Sequence, residues 1–285
     1  MNRVVKKEPP LLEVKGLRIA FGRAVPVRDV SFSVPRHGRV AIVGESGCGK
    51  SLTALSLWKD HPEVRLAYIF QNPMESLNPV MRIGAQIREA AKGMSREEIV
   101  ALLRRTGLED PERVFEAYPC RLSGGQCQRA MIAMALAAKP ELLVADEPTT
   151  ALDVTTQREV LELIDGLADE TGMAVLLITH NLGLVAGRMD EVNVMYAGEI
   201  VESGPVKEVL SSPRHPYTKG LLRAVPALDA PRDAPLADIP GTVPPPDAWP
   251  TGCAFHPRCP FATEICSREA PHDRCQGHVR FRCHN

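Results

Sequence analysis

The strongest constraint on the fold of this chain is a glycine-rich loop between a predicted strand and a predicted helix. The loop sequence, GESGCGKS, spans residues 44–51 and fits the pattern G-x-x-x-x-G-K-[ST]. An apolar segment precedes it at 39–43, and a helical pattern follows it at 52–58. Glycines let backbone N–H groups turn towards phosphate oxygens, and a helix N-terminus attracts negative charge. The sequence therefore predicts an α/β protein with a phosphate-binding loop.

The whole loop is expected to bind ATP, mainly through its backbone. Its lysine would reach the terminal phosphates, and its last hydroxyl would ligate Mg²⁺. The predicted nucleotide-binding residues are Gly44, Glu45, Ser46, Gly47, Cys48, Gly49, Lys50 and Ser51.

Two acidic residues follow a second apolar segment. Residues 142–145 are apolar on both faces, which is typical of a central parallel strand. Asp146 comes at the carboxyl end of this strand, where doubly wound sheets bind ligands. We expect Asp146 to hold Mg²⁺ through water, and the adjacent Glu147 to act as general base on the attacking water.

Further motifs occur in a characteristic order. LSGGQ occupies 122–126, and DEPTTALD occupies 146–153. Gln71 ends a predicted strand, His180 follows the apolar run 174–178, and Phe21 lies near the beginning of the chain. Over roughly residues 12–205 these motifs resemble those of the ATP-hydrolysing subunits of ABC transporters.

This resemblance implies roles for three residues outside the loop. Gln71 would bind Mg²⁺ or water, His180 would orient water and the terminal phosphate, and Phe21 would lie against adenine. The catalytic set is then Glu147, His180 and Gln71, and the magnesium set is Ser51, Gln71 and Asp146.

The resemblance also implies a paired arrangement of two ATPase subunits. Ser123, Gly124 and Gly125 begin a predicted helix and would bind the nucleotide held by the opposite subunit. Asp153 would contact that subunit across the interface. The chain is therefore expected to contribute half of two active sites.

A finer resemblance is to the branch that imports oligopeptides, dipeptides or nickel. It is carried by the stretches FQNPM with SLNP (70–79), MIAMALA (131–137) and RHPYT (214–218), and by a cysteine-rich tail containing HPRCP (256–260). The expected fold class is a P-loop NTPase of the ABC ATPase type with a helical subdomain, a shortened antiparallel β-subdomain and a cysteine-rich extension. The expected division is an ATPase domain at 1–210 with the helical subdomain at about 75–135, a proline-rich surface linker at 211–250 and the extension at 251–285.

Composition limits the classes of partner. The net charge of −1 argues against a mainly electrostatic nucleic-acid binder. The sequence has no apolar run long enough for a membrane span, and residues 1–10 lack the apolar region of a signal peptide. We therefore expect a cytoplasmic protein that lies on the inner face of the cell membrane through protein partners. The resemblance implies two permeases, a second ATPase subunit that is a different chain, and an indirect link to a solute-binding protein.

Two features depart from the family pattern. Only about twenty residues separate Lys50 from Gln71, whereas family members have more than twice as many. The predicted helix near Asp60 leads almost directly to the strand that carries Gln71, so the antiparallel region would be thinned and an edge exposed. Cys127 stands where the family often has a basic residue. Its thiol is either acidified by the helix N-terminus or a tolerated small substitution.

Five of the eight cysteines lie in the tail, at positions 253, 259, 266, 275 and 283. In a reducing compartment such clustering favours a metal over disulfides. Zinc usually prefers tight C-x-x-C pairs, whereas iron–sulfur clusters tolerate wider spacing. The resemblance implies a [4Fe-4S] cluster on Cys253, Cys259, Cys266 and Cys283, with zinc or a metal-free tail as alternatives.

The predicted function is an ATPase coupled to transmembrane import of peptides or a related small solute, including nickel. The alternatives are a soluble ABC-type ATPase and a redox- or metal-sensing regulatory subunit with impaired turnover. The sequence does not name the solute, because such subunits contact permeases and not the cargo.

Overall fold

The computed structural model describes residues 9–150, 152–224 and 238–285. Parts of three expectations lie outside these ranges: the N-terminal segment 1–8, one residue of the DEPTTALD motif, and residues 225–237 of the predicted linker. The chain divides into two compact units, the first of residues 1–61 and 177–285 and the second of residues 62–176.

Strands and helices occur mainly in runs along the described chain, with five consecutive α-helices between β4 and β5. The strands are β1 (Leu12–Phe21), β2 (Ala24–Val34), β3 (Arg39–Val43), β4 (Leu66–Ile69), β5 (Leu142–Asp146), β6 (Ala174–Thr179), β7 (Glu191–Tyr196), β8 (Glu199–Pro205), β9 (Asp273–Gln276) and β10 (Val279–Arg282). The helices are α1 (Lys50–Asp60), α2 (Pro73–Ser76), α3 (Ile83–Ala90), α4 (Arg96–Arg105), α5 (Pro111–Glu116), α6 (Gly124–Ala137), α7 (Val154–Thr171), α8 (Val206–Ser211), α9 (Pro216–Ala224) and α10 (Glu264–Arg268).

The first unit contains a mixed sheet with the strand order β1-β2-β8-β7-β3. The β1 and β2 strands form an antiparallel pair, and β3 runs parallel to β7 with Val40 opposite Glu191. In β3 every residue after Arg39 is buried, as expected of a central strand that is covered on both faces. The phosphate loop therefore begins at the end of a buried strand.

The cysteine-rich tail extends the sheet of the first unit. Strand β10 pairs antiparallel with β8, with Phe281 opposite Glu202, and also pairs with β9. Arg282 donates to Asp29 Oδ2 at 2.7 Å and to Asp273 Oδ1 at 2.8 Å, which ties β10 to β2 and β9. These two strands are not apparent from the sequence pattern.

The predicted linker at 211–250 differs from a surface linker in its first part, which forms helix α9 (Pro216–Ala224) with Tyr217 fully buried. Its last part contacts β2. The carbonyl oxygen of Pro246 accepts the Val25 N–H at 2.8 Å, and Trp249 Nε1 donates to the Val25 carbonyl at 2.9 Å. The Trp249 ring also lies 5.5 Å from the guanidinium of Arg28. Pro246 and Trp249 therefore hold this part of the chain on β2.

The second unit combines a parallel strand pair with a group of helices. Strand β4 runs parallel to β5, with Tyr68 opposite Val144. Helices α3, α4 and α5 pack on one another, and α3 and α4 also pack on α6. The α4 helix begins with the predicted capping box, in which Ser95 Oγ accepts the Glu98 N–H and the Glu98 carboxylate accepts the Ser95 N–H.

The short connection after the phosphate loop is also as expected from the sequence. Helix α1 ends at Asp60, and β4 begins at Leu66. No described helix combines the length and apolar character that crossing a bilayer requires.

Candidate nucleotide site

The phosphate loop leaves β3 through glycines that no other residue could replace without a clash. The Gly44 N–H donates to the Thr179 carbonyl at 3.3 Å, and a Cβ on Gly44 would lie 2.2 Å from the Met195 carbonyl oxygen. Gly49 has φ +103°, and a Cβ there would lie 2.5 Å from the Pro26 carbonyl oxygen. These contacts fix the loop path, since only glycine tolerates both the space and the left-handed conformation.

Lys50 is held inside the curve of this loop. Its side chain is buried, and Nζ donates to the carbonyl oxygens of Gly44 at 2.7 Å and Glu45 at 3.0 Å. Helix α1 begins at Lys50 without a hydrogen bond from a capping side chain, so its first N–H groups keep their capacity for an anion. Ser51 is exposed in the first turn of the same helix.

Cys48 packs into the loop interior. It is fully buried, and its Sγ lies 4.0 Å from Lys50 Nζ. Burial raises the pKa of the Cys48 thiol above its ordinary value, although the nearby ammonium of Lys50 opposes that shift. Any contribution of Cys48 to phosphate binding must therefore come from its backbone.

Glu45 is hydrogen-bonded by two residues whose place at the site the sequence motifs do not indicate. Its N–H donates to the Tyr217 hydroxyl at 2.8 Å, and its carboxylate accepts two hydrogen bonds from Arg258 at 2.8 and 3.0 Å. Both partners lie in stretches that carry the branch resemblance, RHPYT and HPRCP. Local spacing could not have linked them to the loop, because Arg258 is 213 positions away from Glu45.

Phe21 and His180 lie at the ends of strands in the first unit. Phe21 ends β1 and is 62% exposed, which suits stacking on a base. His180 is exposed and directly follows Thr179, whose carbonyl oxygen accepts the Gly44 N–H. The structure therefore places His180 next to the beginning of the phosphate loop.

In the second unit, the two carboxylate oxygens of Asp146 have different surroundings. Asp146 is buried at the end of β5, and Oδ2 accepts the Tyr68 hydroxyl hydrogen bond at 2.6 Å. Among the described residues, Oδ1 has no hydrogen-bond partner. A buried carboxylate oxygen without a donor is costly, so this atom fits a role as acceptor for a cation or its water.

Glu147 and Gln71 are brought together in the same unit. The Glu147 carboxylate accepts hydrogen bonds from Gln71 Nε2 at 3.2 Å and from Thr150 Oγ1 at 3.0 Å. Glu147 has φ +45°, a left-handed conformation that costs a non-glycine residue about 1 kcal/mol or more. Strain and hydrogen bonds together fix the carboxylate direction immediately after Asp146.

The LSGGQ segment forms the N-terminus of α6. Ser123 caps this helix: its Oγ accepts the Gln126 N–H, and Gln126 Oε1 accepts the Ser123 N–H. Ser123 and Gly124 are exposed, and Gly125 is half-buried. The first N–H groups of the helix are thus presented at the surface, as an anion-binding role requires.

The acidified-thiol alternative for Cys127 is wrong. The side chain is fully buried, and Sγ donates to the Pro119 carbonyl oxygen at 3.6 Å. Burial raises the pKa of the thiol, and the nearby Cys120 adds to that rise. Cys127 is a packing residue of α6.

Asp153 caps the next helix of the unit. Its Oδ1 accepts the N–H groups of Thr155 and Thr156 at 3.1 and 3.0 Å, and its Oδ2 accepts the Thr156 hydroxyl at 2.7 Å. The Thr156 hydrogen bonds hold the pKa of Asp153 below its ordinary value. The predicted contact of Asp153 with a second subunit stays a prediction.

Four of the tail cysteines influence one another electrostatically. Burial, the largest cause, together with the nearby Cys266, Cys283 and Cys259 raises the pKa of Cys253 to about 11. Cys275 is exposed on β9 and is not among these neighbours. All eight cysteines lie in described ranges and are free. Within the described ranges, however, no three His, Cys, Asp or Glu side chains are spaced to hold a metal ion.

Two family models match the chain. The model described as ABC transporter matches residues 27–150, and the model described as oligopeptide/dipeptide transporter, C-terminal region matches residues 201–266.

Relatives from Brucella match nearly the whole chain. A protein of Brucella ovis is 46% identical, covering 92% of this chain and 93% of its own length. One of Brucella abortus is 42% identical, covering 97% and 95%. Both names describe peptide import ATP-binding proteins. The alignments extend over 313 and 317 residues, so the relatives carry residues that this 285-residue chain lacks.

Solved structures support the same fold. CbiO1 from Clostridium perfringens, part of the ABC transporter complex cbiONQ, has a TM-score of 0.62 at 24% identity, covering 72% of this chain and 92% of that one. An ATP-binding cassette in a dimeric post-hydrolysis state with ADP and Pi has a TM-score of 0.58 at 25% identity, covering 68% and 98%. Together with the phosphate loop, the acid pair and the near full-length relatives, these matches show that the chain belongs to the ATP-binding subunits of ABC transporters, in the branch with the oligopeptide/dipeptide transporter C-terminal region.

Proposed function

We propose that the chain hydrolyses ATP to energise a membrane importer of peptides. The observation that carries the proposal is the acid pair: Asp146 keeps one buried oxygen without a donor, while Gln71 and Thr150 hold Glu147. A structural acid pair would have both carboxylates fully hydrogen-bonded. The names of the Brucella relatives supply the peptide as the transported solute.

Each group in the nucleotide site has a distinct task in this proposal. Lys50 and the N–H groups at the start of α1 bind the phosphates, and Phe21 stacks on the base. Ser51, Gln71 and Asp146 would hold Mg²⁺, and the ion would neutralise phosphate charge. Glu147 takes a proton from the attacking water, and His180 orients that water.

The exposed α6 N-terminus serves a second ATPase subunit. Ser123, Gly124 and Gly125 would bind the nucleotide of that subunit, and Asp153 would contact it. We propose that the second subunit is a different chain and that both associate with two permeases on the inner face of the membrane. A solute-binding protein outside the membrane would determine the choice of peptide, with nickel as an alternative cargo.

Reconstitution with the two permeases and the partner ATPase in vesicles tests this function. Peptide uptake is expected to require ATP and Mg²⁺ on the side of the vesicle membrane where the ATPase subunits lie. A matched preparation with Glu147→Gln should take up no peptide. Binding of ATP without hydrolysis in the complete wild-type assembly would instead support a regulatory subunit, and hydrolysis without permease dependence would support a soluble ATPase.

We also propose a [4Fe-4S] cluster on Cys253, Cys259, Cys266 and Cys283. The electrostatic effect of Cys266, Cys283 and Cys259 on Cys253, and the exposure of Cys275 on β9, support the choice of residues. The thiol arrangement in the structure does not itself form a metal site, so the cluster would need a rearrangement of the tail. No step of hydrolysis is assigned to it.

Anaerobic purification followed by iron and acid-labile sulfide analysis tests the cluster. Wild type and Cys275→Ser should contain iron and sulfide, and Cys253→Ser should lose both. A colourless and iron-free wild-type protein would remove the proposal, whereas zinc in its place would favour the alternative ligand.

A further inference from the structure

Arg258 reaches from the C-terminal extension to the phosphate loop. Its Nη1 and Nη2 donate to the two carboxylate oxygens of Glu45 at 2.8 and 3.0 Å. The Arg258 side chain is 4% exposed, whereas that of Glu45 is 31% exposed. The pair is therefore a two-point contact between a buried guanidinium and a carboxylate on the loop, the strongest geometry for such a pair.

The guanidinium is held in place independently of Glu45. Nε donates to the Pro240 carbonyl at 2.7 Å, and Nη2 donates to the carbonyls of Ile239 and Gly241 at 3.0 and 3.2 Å. These three carbonyl acceptors fix the plane of the Arg258 guanidinium without any contribution from Glu45. A lysine could not reproduce this arrangement, since it offers a point charge in place of a planar fork.

The loop backbone is held at the same residue. The Glu45 N–H donates to the hydroxyl of Tyr217, which is fully buried. The Tyr217 ring packs 4.7 Å from Tyr196 and 5.4 Å from Phe255, which is three residues before Arg258. An aromatic cluster that includes the extension therefore supports both the backbone and the carboxylate contact with Glu45.

The charge of Glu45 matters because its loop binds an anion. A carboxylate beside the phosphates would repel them, and in a partly buried site that repulsion is only weakly screened. Pairing with Arg258 offsets this charge.

We infer that Arg258 is a positioning residue of the nucleotide site, through which the C-terminal extension fixes the loop at Glu45 and removes its repulsion of phosphate. The inference rests on the proposed binding of ATP by this loop. ATP affinity then depends on the C-terminal extension as well as on the phosphate loop.

Equilibrium binding of a fluorescent ATP analogue gives the first test. Arg258→Gln should weaken binding by roughly tenfold, because it removes the fork and leaves the Glu45 charge beside the phosphates. Glu45→Gln combined with Arg258→Gln should recover part of the lost affinity, since the repelling charge is then absent. A double variant as weak as Arg258→Gln alone would contradict the repulsion argument.

Arg282→Gln is the matched control. Arg282 also belongs to the extension and also pairs with two carboxylates, Asp29 and Asp273, neither of which lies in the phosphate loop. This variant should melt at a lower temperature but bind the analogue as wild type does. Equal weakening by Arg282→Gln and Arg258→Gln would overturn the inference, because it would show a general effect of disturbing the extension.

Alkylation of Cys48 in nucleotide-free protein is a second and independent measurement. Cys48 is fully buried in the loop, so its labelling rate, followed by peptide mapping, reports loop opening. Arg258→Gln should increase the rate several-fold, and Arg282→Gln should leave it unchanged. An unchanged rate of Cys48 alkylation in Arg258→Gln would overturn the inference that Arg258 fixes the loop. Wild-type protein that binds no ATP would instead remove the proposed function, while the alkylation result would still decide whether Arg258 fixes the loop.

Discussion

At the residue scale, Tyr68 gives Asp146 a partner that the motifs do not mention. The Tyr68 hydroxyl donates to Asp146 Oδ2 at 2.6 Å, and the ring is buried. Burial and the hydrogen bond to Asp146 together raise the pKa of Tyr68 far above its ordinary value. The phenol therefore stays protonated and orients the carboxylate so that Oδ1 remains available.

Tyr68→Phe tests this orientation. The ring is kept, but Asp146 loses the donor that fixes its plane, and loss of such a partner typically weakens metal affinity at least tenfold. We expect the Mg²⁺ concentration for half-maximal hydrolysis to rise about tenfold, and Mn²⁺ binding measured by EPR with ATP to weaken in parallel. Tyr118→Phe, at a tyrosine that is 40% exposed in the same unit, is the control. Wild-type metal dependence in Tyr68→Phe would show that the hydrogen bond does not orient Asp146.

Glu147→Gln tests the assignment of the general base. The amide keeps an oxygen for the hydrogen bonds from Gln71 and Thr150 but cannot accept a proton from water. We expect ATP binding at wild-type strength and a fall in turnover of about a hundredfold or more, measured by phosphate release. Turnover near the wild-type rate would assign the base to another residue.

Cys48 should react with alkylating agents slowly and with an unusual pH dependence. Its pKa is raised by burial, so at pH 8 its thiolate fraction is below that of an ordinary thiol, and its rate should keep rising above pH 9. The exposed Cys120 supplies an internal comparison in the same digest. ATP is expected to slow the reaction further; equal labelling with and without ATP would count against nucleotide binding at this loop.

At the element scale, the sequence predicted elements whose signals are local. The strand before Asp146 is apolar on both faces, and the Ser95 capping box lies within a single turn, so both were predictable from neighbouring residues. The β9–β10 hairpin was not predicted, because every residue of β9 is exposed and its strand character depends on pairing with β10. The contact of Arg258 with Glu45 was likewise beyond any local pattern.

The start of α9 contains a histidine that should make stability depend on pH. His215 is fully buried, and its Nδ1 accepts the Tyr217 N–H at 3.0 Å. Burial, assisted by the charge of Lys219, lowers the pKa of His215 from 6.5 to about 3. Between pH 6.5 and pH 3, His215 is therefore protonated in the unfolded chain but neutral in the folded chain. The free energy of unfolding falls through this range as the pH is lowered, by about 1.4 kcal/mol per pH unit.

Urea unfolding of wild type and His215→Asn between pH 7 and pH 4.5 checks this expectation. The variant should be less stable at pH 7, but its free energy of unfolding should fall less steeply with acidification. The difference between the two proteins cancels the pH dependence contributed by other groups. These groups include the nearby Glu202, whose own pKa is raised by burial. Parallel curves would assign the acid sensitivity to those groups.

At the scale of the whole molecule, ATP with Mg²⁺ should stabilise the chain against heat. A ligand that binds only the folded state adds about 2.7 kcal/mol at a concentration about 100 times its Kd. We expect a rise in Tm with ATP and Mg²⁺ that disappears in Lys50→Ala, measured by differential scanning fluorimetry. A rise that persists in Lys50→Ala would mean that the stabilising nucleotide binds elsewhere.

The separation of 213 residues between Glu45 and Arg258 also affects the order in which they are synthesised. At a synthesis rate of about 5 to 20 residues per second, the phosphate loop emerges roughly 10 to 40 seconds before the arginine that fixes it. If Arg258 fixes the loop as inferred above, the nascent chain during that interval would carry a loop with an unpaired Glu45 carboxylate and weaker affinity for phosphate. Competence to bind nucleotide would thus arrive late in biogenesis, after the extension has been made and has docked.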